Sequence, residues 1–117
     1  RSLPARWATV EFLTYFASFA RKIKNALKKD AEAAGLKLVE FSRGHFYISA
    51  FVLNPLTNQY AYISVSDVRW MLCGKRPLDD ILYRTAKDEH DYHGGCNNFT
   101  DLPNLIERVS ILTGRGV

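Results

Sequence analysis

At 117 residues, 47% hydrophobic and 13% aromatic, the chain is long and apolar enough for one domain with a real core. A chain of this size buries roughly two-thirds of its unfolded surface, so it needs no disulfide or metal staple. A net charge of +4 suits an acidic partner such as nucleic acid or an acidic protein patch, and equally suits ordinary solubility. No apolar run approaches the ~20 residues of a membrane span, which argues against a membrane partner. Nothing has the layout of a secretory signal, and Cys73 and Cys96 make a weak disulfide case. These features read as a cytoplasmic protein with free thiols.

The spacing predicts one long helix over Trp7 to Ala34. Apolar or small residues recur at Val10, Leu13, Phe16, Ala20, Ile23, Leu27 and Ala31, in steps of three and four. Gly35 is a natural stop just past its end. Arg21, Lys22, Lys24, Lys28 and Lys29 make the middle of this helix basic. They form either a solvated outer face or a surface that meets phosphate or an acidic partner.

Strand signals follow. Leu36 to Phe41 is the first, and Ser42-Arg43-Gly44 a tight turn with Gly44 at positive φ. His45 to Leu53 and Gln59 to Ser66 are the next two strands, joined by Asn54-Pro55-Leu56-Thr57-Asn58. Both alternate with period two, as an antiparallel meander with one face on a helix requires. The face bearing Tyr47, Phe51, Tyr60 and Tyr62 turns outward, or lies under a second helix or a partner copy. Ser66-Asp67 caps a short helix over Val68 to Leu72. Ile81 to Ala86 is a fourth strand candidate. Thr100 or Asp101 caps a last helix, with Leu102, Leu105, Ile106, Val109 and Leu112 inward and Gly114 at its end. The fold class is α+β, in the order α-β-β-β-(β)-α, with a three- to four-stranded antiparallel sheet.

That order is shared with double-stranded-RNA-binding domains. Those domains open their last helix with a lysine-rich cluster, whereas this chain has Thr100-Asp101-Leu102-Pro103 there. Negative charge at that point repels phosphate, so the likeness stops at topology.

The unusual chemistry sits between Asp88 and Asn98, a polar run holding His90, His93, Cys96 and a Gly94-Gly95 pair. Long loops in small domains often carry function. Three readings follow. His90, His93 and Cys96 with Cys73 supply the ligand types of a tetrahedral zinc site, but at no standard spacing. Cys96 with a histidine and Asp88 or Asp91 holds the parts of a nucleophilic triad, without a known signature. The favoured reading is a binding or structural loop. In it Asp91 and Asn97 hydrogen-bond loop amides, Tyr92 packs inward and the glycines allow the turn.

Taken as a unit, Arg84-Thr85-Ala86, Asp91-Tyr92, Gly94-Gly95 and Asn97 resemble a segment found in small accessory proteins of phages and mobile elements of Gram-positive bacteria. The stretches GHFYISAF and YAYISVSDVRW look similar too, with Gly44, Ser66, Asp67 and Arg69 as matching points. The resemblance covers roughly residues 44–112. Some proteins of that class antagonise host defence, including type II CRISPR nucleases. It implies a protein that is not an enzyme and needs no cofactor. It would dock on a host defence protein or nucleoprotein complex through Arg69, Arg84, Asp91, Tyr92, Gly94, Gly95 and Asn97. The alternative is a basic module that binds DNA or RNA through Arg21, Lys22, Lys24, Lys28 and Lys29 with Tyr60 and Tyr62. Capture of a nucleotide signal at Gly94-Gly95 is a third possibility, and a homodimer is open.

Overall fold

The computed structural model describes residues 10–44, 47–65 and 81–114, with side chains of the first helix from Ala17 onward. The helix expected at Val68 to Leu72, and with it Arg69 and Cys73, lies outside the described residues.

The first helix, α1, spans Val10–Ala33. Its apolar stripe does what the spacing predicts: Ala20, Leu27 and Ala31 are buried, with Phe19 and Ile23 packed against the same core. Gly35 ends it at φ +79. The Gly35 amide donates to the Glu32 carbonyl at 3.1 Å and the Leu36 amide to the Ala31 carbonyl at 2.8 Å. This is a Schellman motif, and Leu36 is buried beside Ala31 as its hydrophobic contact. The chain therefore reverses over a few residues and returns along α1.

Five strands follow: β1 (Lys37–Arg43), β2 (Ile48–Asn54), β3 (Gln59–Val65), β4 (Ile81–Ala86) and β5 (Asn98–Thr100). They form one antiparallel sheet in sequence order. The last helix, α2, spans Leu105–Gly114. Ile48, Ala50, Val52, Ala61, Ile63, Val65 and Ile81 form one sheet face, which packs on both helices through Leu27, Ala31, Leu105 and Val109. Ser49, Phe51, Tyr62, Ser64 and Arg84 point to the other side, as period two demands. Among the described residues no helix is long and apolar enough to cross a membrane.

The fold is the expected α+β order, with three local corrections. The fourth strand forms, and so does a fifth of only three residues, too short to show any periodicity. Ser42 and Arg43 are not a turn, because they pair with Ser49 and Ile48 and extend β1. Gly44 does not take positive φ. Its amide donates to the Tyr47 carbonyl at 3.1 Å, and a Cβ there would strike the Tyr47 ring.

The β2–β3 turn is built by asparagines. The Asn54 side chain accepts from the Leu56 amide at 3.1 Å, and Asn58 takes φ 59, which this residue tolerates better than most. Thr57 donates to the Thr113 carbonyl at 2.8 Å, pinning the turn to the end of α2. At the other end of α2, Asp101 accepts from the Asn104 amide at 3.0 Å, so Asp101 is the cap.

Candidate functional site

Residues 87–97 link β4 to β5 and fold back over the sheet face opposite α1 and α2. The floor is a cross-strand row. Register places Phe51 opposite Tyr62, and Tyr62 opposite Arg84. Tyr92 lies across the row, edge-on to Phe51 at 5.2 Å and to Tyr62 at 5.6 Å between ring centroids. The Phe51 and Tyr62 rings are 5.0 Å apart. Such aromatic pairs add about 0.5–1.5 kcal/mol each beyond burial. Phe51 is only 1% exposed as a result.

Arg84 ties the loop to the strand. A guanidinium usually reaches solvent, yet here it is 3% exposed. It lies 4.5 Å over the Tyr62 ring. Its two terminal nitrogens donate to the Thr85 carbonyl at 3.0 Å and the Asp91 carbonyl at 2.8 Å. The fork of the side chain thus bridges β4 and the loop.

Asp91 organises the loop from inside. Its Oδ2 accepts from the Lys87 amide at 2.9 Å. Its Oδ1 accepts from the His93 amide at 3.1 Å and the Gly94 amide at 2.9 Å. Asp88 repeats the device with the His90 amide at 2.8 Å. The Lys87 amide, then those of His93 and Gly94 and the charge of Arg84, hold the Asp91 carboxyl below its usual range against partial burial. A carboxylate depressed on folding stabilises above its unfolded pKa, about 3.9, and that contribution is lost as pH falls through the lower folded value. The protection factors of the Lys87, His93 and Gly94 amides, corrected for intrinsic exchange, are accordingly expected to fall at acid pH while the sheet amides stay protected. In Asp91→Asn they should be low at every pH, because an amide nitrogen facing the Lys87 N–H gives two donors and no acceptor. Protection unchanged in that variant would show that the carboxylate does not hold the loop.

The glycines are required by space. A Cβ at Gly94 would run into the Asp91 carboxylate. Gly95 has φ +74, and a Cβ there would stand 2.6 Å from the Thr85 carbonyl oxygen. Gly95→Ala is expected to lower stability by about 2 kcal/mol, from left-handed strain and the contact together. Urea denaturation of the variant measures it, and a cost near zero would refute the close approach.

Arg84, Asp91, Tyr92, Gly94 and Gly95 therefore meet in one assembly. Asn97 does not share their work. It is exposed, and its neighbour Asn98 does the tying, donating to the carbonyls of Tyr83 at 3.3 Å and Cys96 at 3.1 Å. Asn98 was missed because two adjacent asparagines are indistinguishable by type. Only the β5 register, with Asn98 opposite Tyr83, picks one out. His90, His93 and Cys96 are exposed, and His90 approaches Glu89 at 3.9 Å in an open surface pair of little energetic weight. Among the described residues, no three His, Cys, Asp or Glu side chains group as a metal site.

The nucleic-acid set is divided. Arg21, Lys22, Lys24, Lys28 and Lys29 are all exposed on α1. Tyr60 and Tyr62 belong to the opposite sheet face, and Tyr62 is covered by Arg84 and Tyr92. The basic residues and these tyrosines therefore do not share one surface.

No protein-family model matches the chain. No curated protein and no solved structure matches it.

Proposed function

We propose that the protein works by binding, without catalysis, and that its binding element is the loop at 87–97. One observation carries this reading. The polar groups inside the loop are already engaged with one another, while His90, His93, Cys96 and Asn97 stand exposed on the platform so formed. Groups held in that way cannot rearrange cheaply around a reacting atom, but they fix a surface in one shape, which lowers the entropic cost of docking. Tyr92 and Phe99 are 46% and 63% exposed. Register puts Phe99 opposite Leu82, on the face the loop covers. Exposed aromatics of this kind are the usual anchors of protein interfaces. A stable interface needs about 800 Å² per partner, more than one loop supplies, so the contact must spread onto the sheet around Phe99.

The partner in this reading is a host defence nuclease complex, and the protein an inhibitor made by a phage or mobile element. Support comes from the Arg84 to Asn97 segment, whose resemblance to such accessory proteins covers the residues that build the loop. The test is direct. Purified protein titrated into type II CRISPR nuclease complexes should suppress DNA cleavage near stoichiometry. His93→Ala with Asn97→Ala, both exposed, should weaken suppression without shifting Tm. Cleavage unaffected at large molar excess across several such nucleases would remove the proposal.

A second reading has its own observation, the five exposed cations of α1. It makes the chain a nucleic-acid-binding module, with affinity that falls steeply as salt rises. Nucleotide capture at Gly94-Gly95 ranks last, since the Gly94 amide already donates to Asp91 and a phosphate would have to displace that carboxylate.

A further inference from the structure

We infer that the cleft between α1 and β1 binds single-stranded nucleic acid, with phosphates held by Arg21, Lys24 and Arg43 and a base seated on Phe41. The inference rests on the second reading above, that the basic side of α1 meets an anion, and it assigns the site.

Geometry creates the cleft. A helix rises about 1.5 Å per residue and a strand about 3.3 Å. After the reversal at Gly35, the seven residues of β1 climb back along α1 to the level of Arg21. Arg43, at the end of β1, therefore faces Arg21 and Lys24 rather than Lys28 and Lys29. The cleft has a volume of about 250 Å³ and is lined by Ala17, Ala20, Arg21, Lys24, Phe41 and Arg43.

The lining divides in two. Ala17, Ala20 and Phe41 give an apolar floor, and Phe41 is half-buried with its ring packed on the core. The rim is cationic from both elements, and among the described residues no acidic side chain lines it. Among the described residues Arg21 and Lys24 form no ion pair. Lys28 and Lys29, farther along the helix, do not line this cleft.

Charge complementarity selects an anion, and the floor selects among anions. A peptide carboxylate would use the rim and leave the aromatic ring idle. A nucleotide unit uses both, because guanidiniums grip phosphate oxygens bidentately and every base has a face to stack. The volume is below the roughly 300 Å³ where enclosing ligand pockets begin. The cleft fits one unit of a passing strand rather than a free small molecule.

Anisotropy with fluorescein-labelled oligothymidylate and oligouridylate at low salt tests this. The native protein should bind, with log affinity falling against log salt at a slope of about −2, as three phosphate contacts on a single strand give. Arg21→Glu with Lys24→Glu should weaken binding by roughly tenfold or more and flatten the slope. Lys28→Glu with Lys29→Glu should weaken it only a few-fold. Phe41→Leu keeps most of the buried volume and removes the ring. It should weaken oligonucleotide binding by roughly fivefold or more and leave binding of inorganic polyphosphate, which has no bases, unchanged. Tighter binding of either oligonucleotide identifies the strand type and supports the site. Equal losses in the two charge variants overturn the cleft while leaving a diffuse basic helix. An oligoglutamate that competes as well as the oligonucleotide overturns nucleic acid as the ligand. No binding by the native protein overturns both the cleft and the reading beneath it.

Discussion

Arg84→Ala is expected to lower folding stability by about 3 kcal/mol and to free the loop at 87–97 from the sheet. The side chain is 3% exposed and makes two charge-assisted hydrogen bonds to main-chain carbonyls, at 3.0 and 2.8 Å. Bonds of that kind each contribute about 1.5–3 kcal/mol, and a desolvated contact over an aromatic ring can add about 2. Removing the cation from water opposes them, which is why the sum is trimmed. Truncation also leaves the Thr85 and Asp91 carbonyls without their donor. Arg84→Lys should recover little, since one ammonium cannot span both carbonyls. Arg84→Met should cost less than alanine because it refills the space over Tyr62, yet still release the loop. Urea denaturation gives the energy, and hydrogen exchange at the Asp91 to Gly95 amides reports the release. A loss under about 0.5 kcal/mol would mean that the local bonds of Asp91 hold the loop without the guanidinium.

Phe51→Ala should cost about 3–5 kcal/mol, the range for a buried phenylalanine whose surroundings cannot collapse. The ring is 1% exposed although it lies on the face opposite both helices. Its lid is the loop, and its walls are Tyr62 and Tyr92. Strand pairing prevents β2 and β3 from closing the void, so the cavity persists. Tyr92 then loses its seat, and near-UV circular dichroism should drop together with the denaturation midpoint. A midpoint shift with an unchanged aromatic signal would show that Tyr92 is held by something else.

The sequence made the helix-facing core legible for a physical reason. In α1 the steps of three and four run without interruption from Ala20 to Ala31, and in β2 and β3 every second residue is apolar on one side. Both are local periodicities. Gly35 and Asp101 were legible because each satisfies a helix end within its own neighbourhood. The interior of the loop was readable for the same reason, since Asp91 bonds amides no more than four residues away. What could not be read was non-local. The burial of Phe51 depends on Tyr92 arriving from a distant stretch. The choice of Asn98 over Asn97, and the extension of β1 through Arg43, depend on strand register. The shared face of Phe51, Tyr60 and Tyr62 was readable from period two, but that Arg84 and Tyr92 cover Tyr62 was not.

The loop separates two kinds of residue. Arg84, Asp91, Gly94, Gly95 and Asn98 hold its shape, and Arg84, Asp91 and Asn98 do so by bonding main-chain atoms that any neighbour would supply. His90, His93, Cys96 and Asn97 are exposed and hold little of that shape. The outward residues can therefore change without the loop changing its course. A lineage under pressure from a variable partner could rewrite its contact surface by single substitutions, each nearly free of folding cost. The same division makes those four positions natural sites for a randomised library on an otherwise fixed frame.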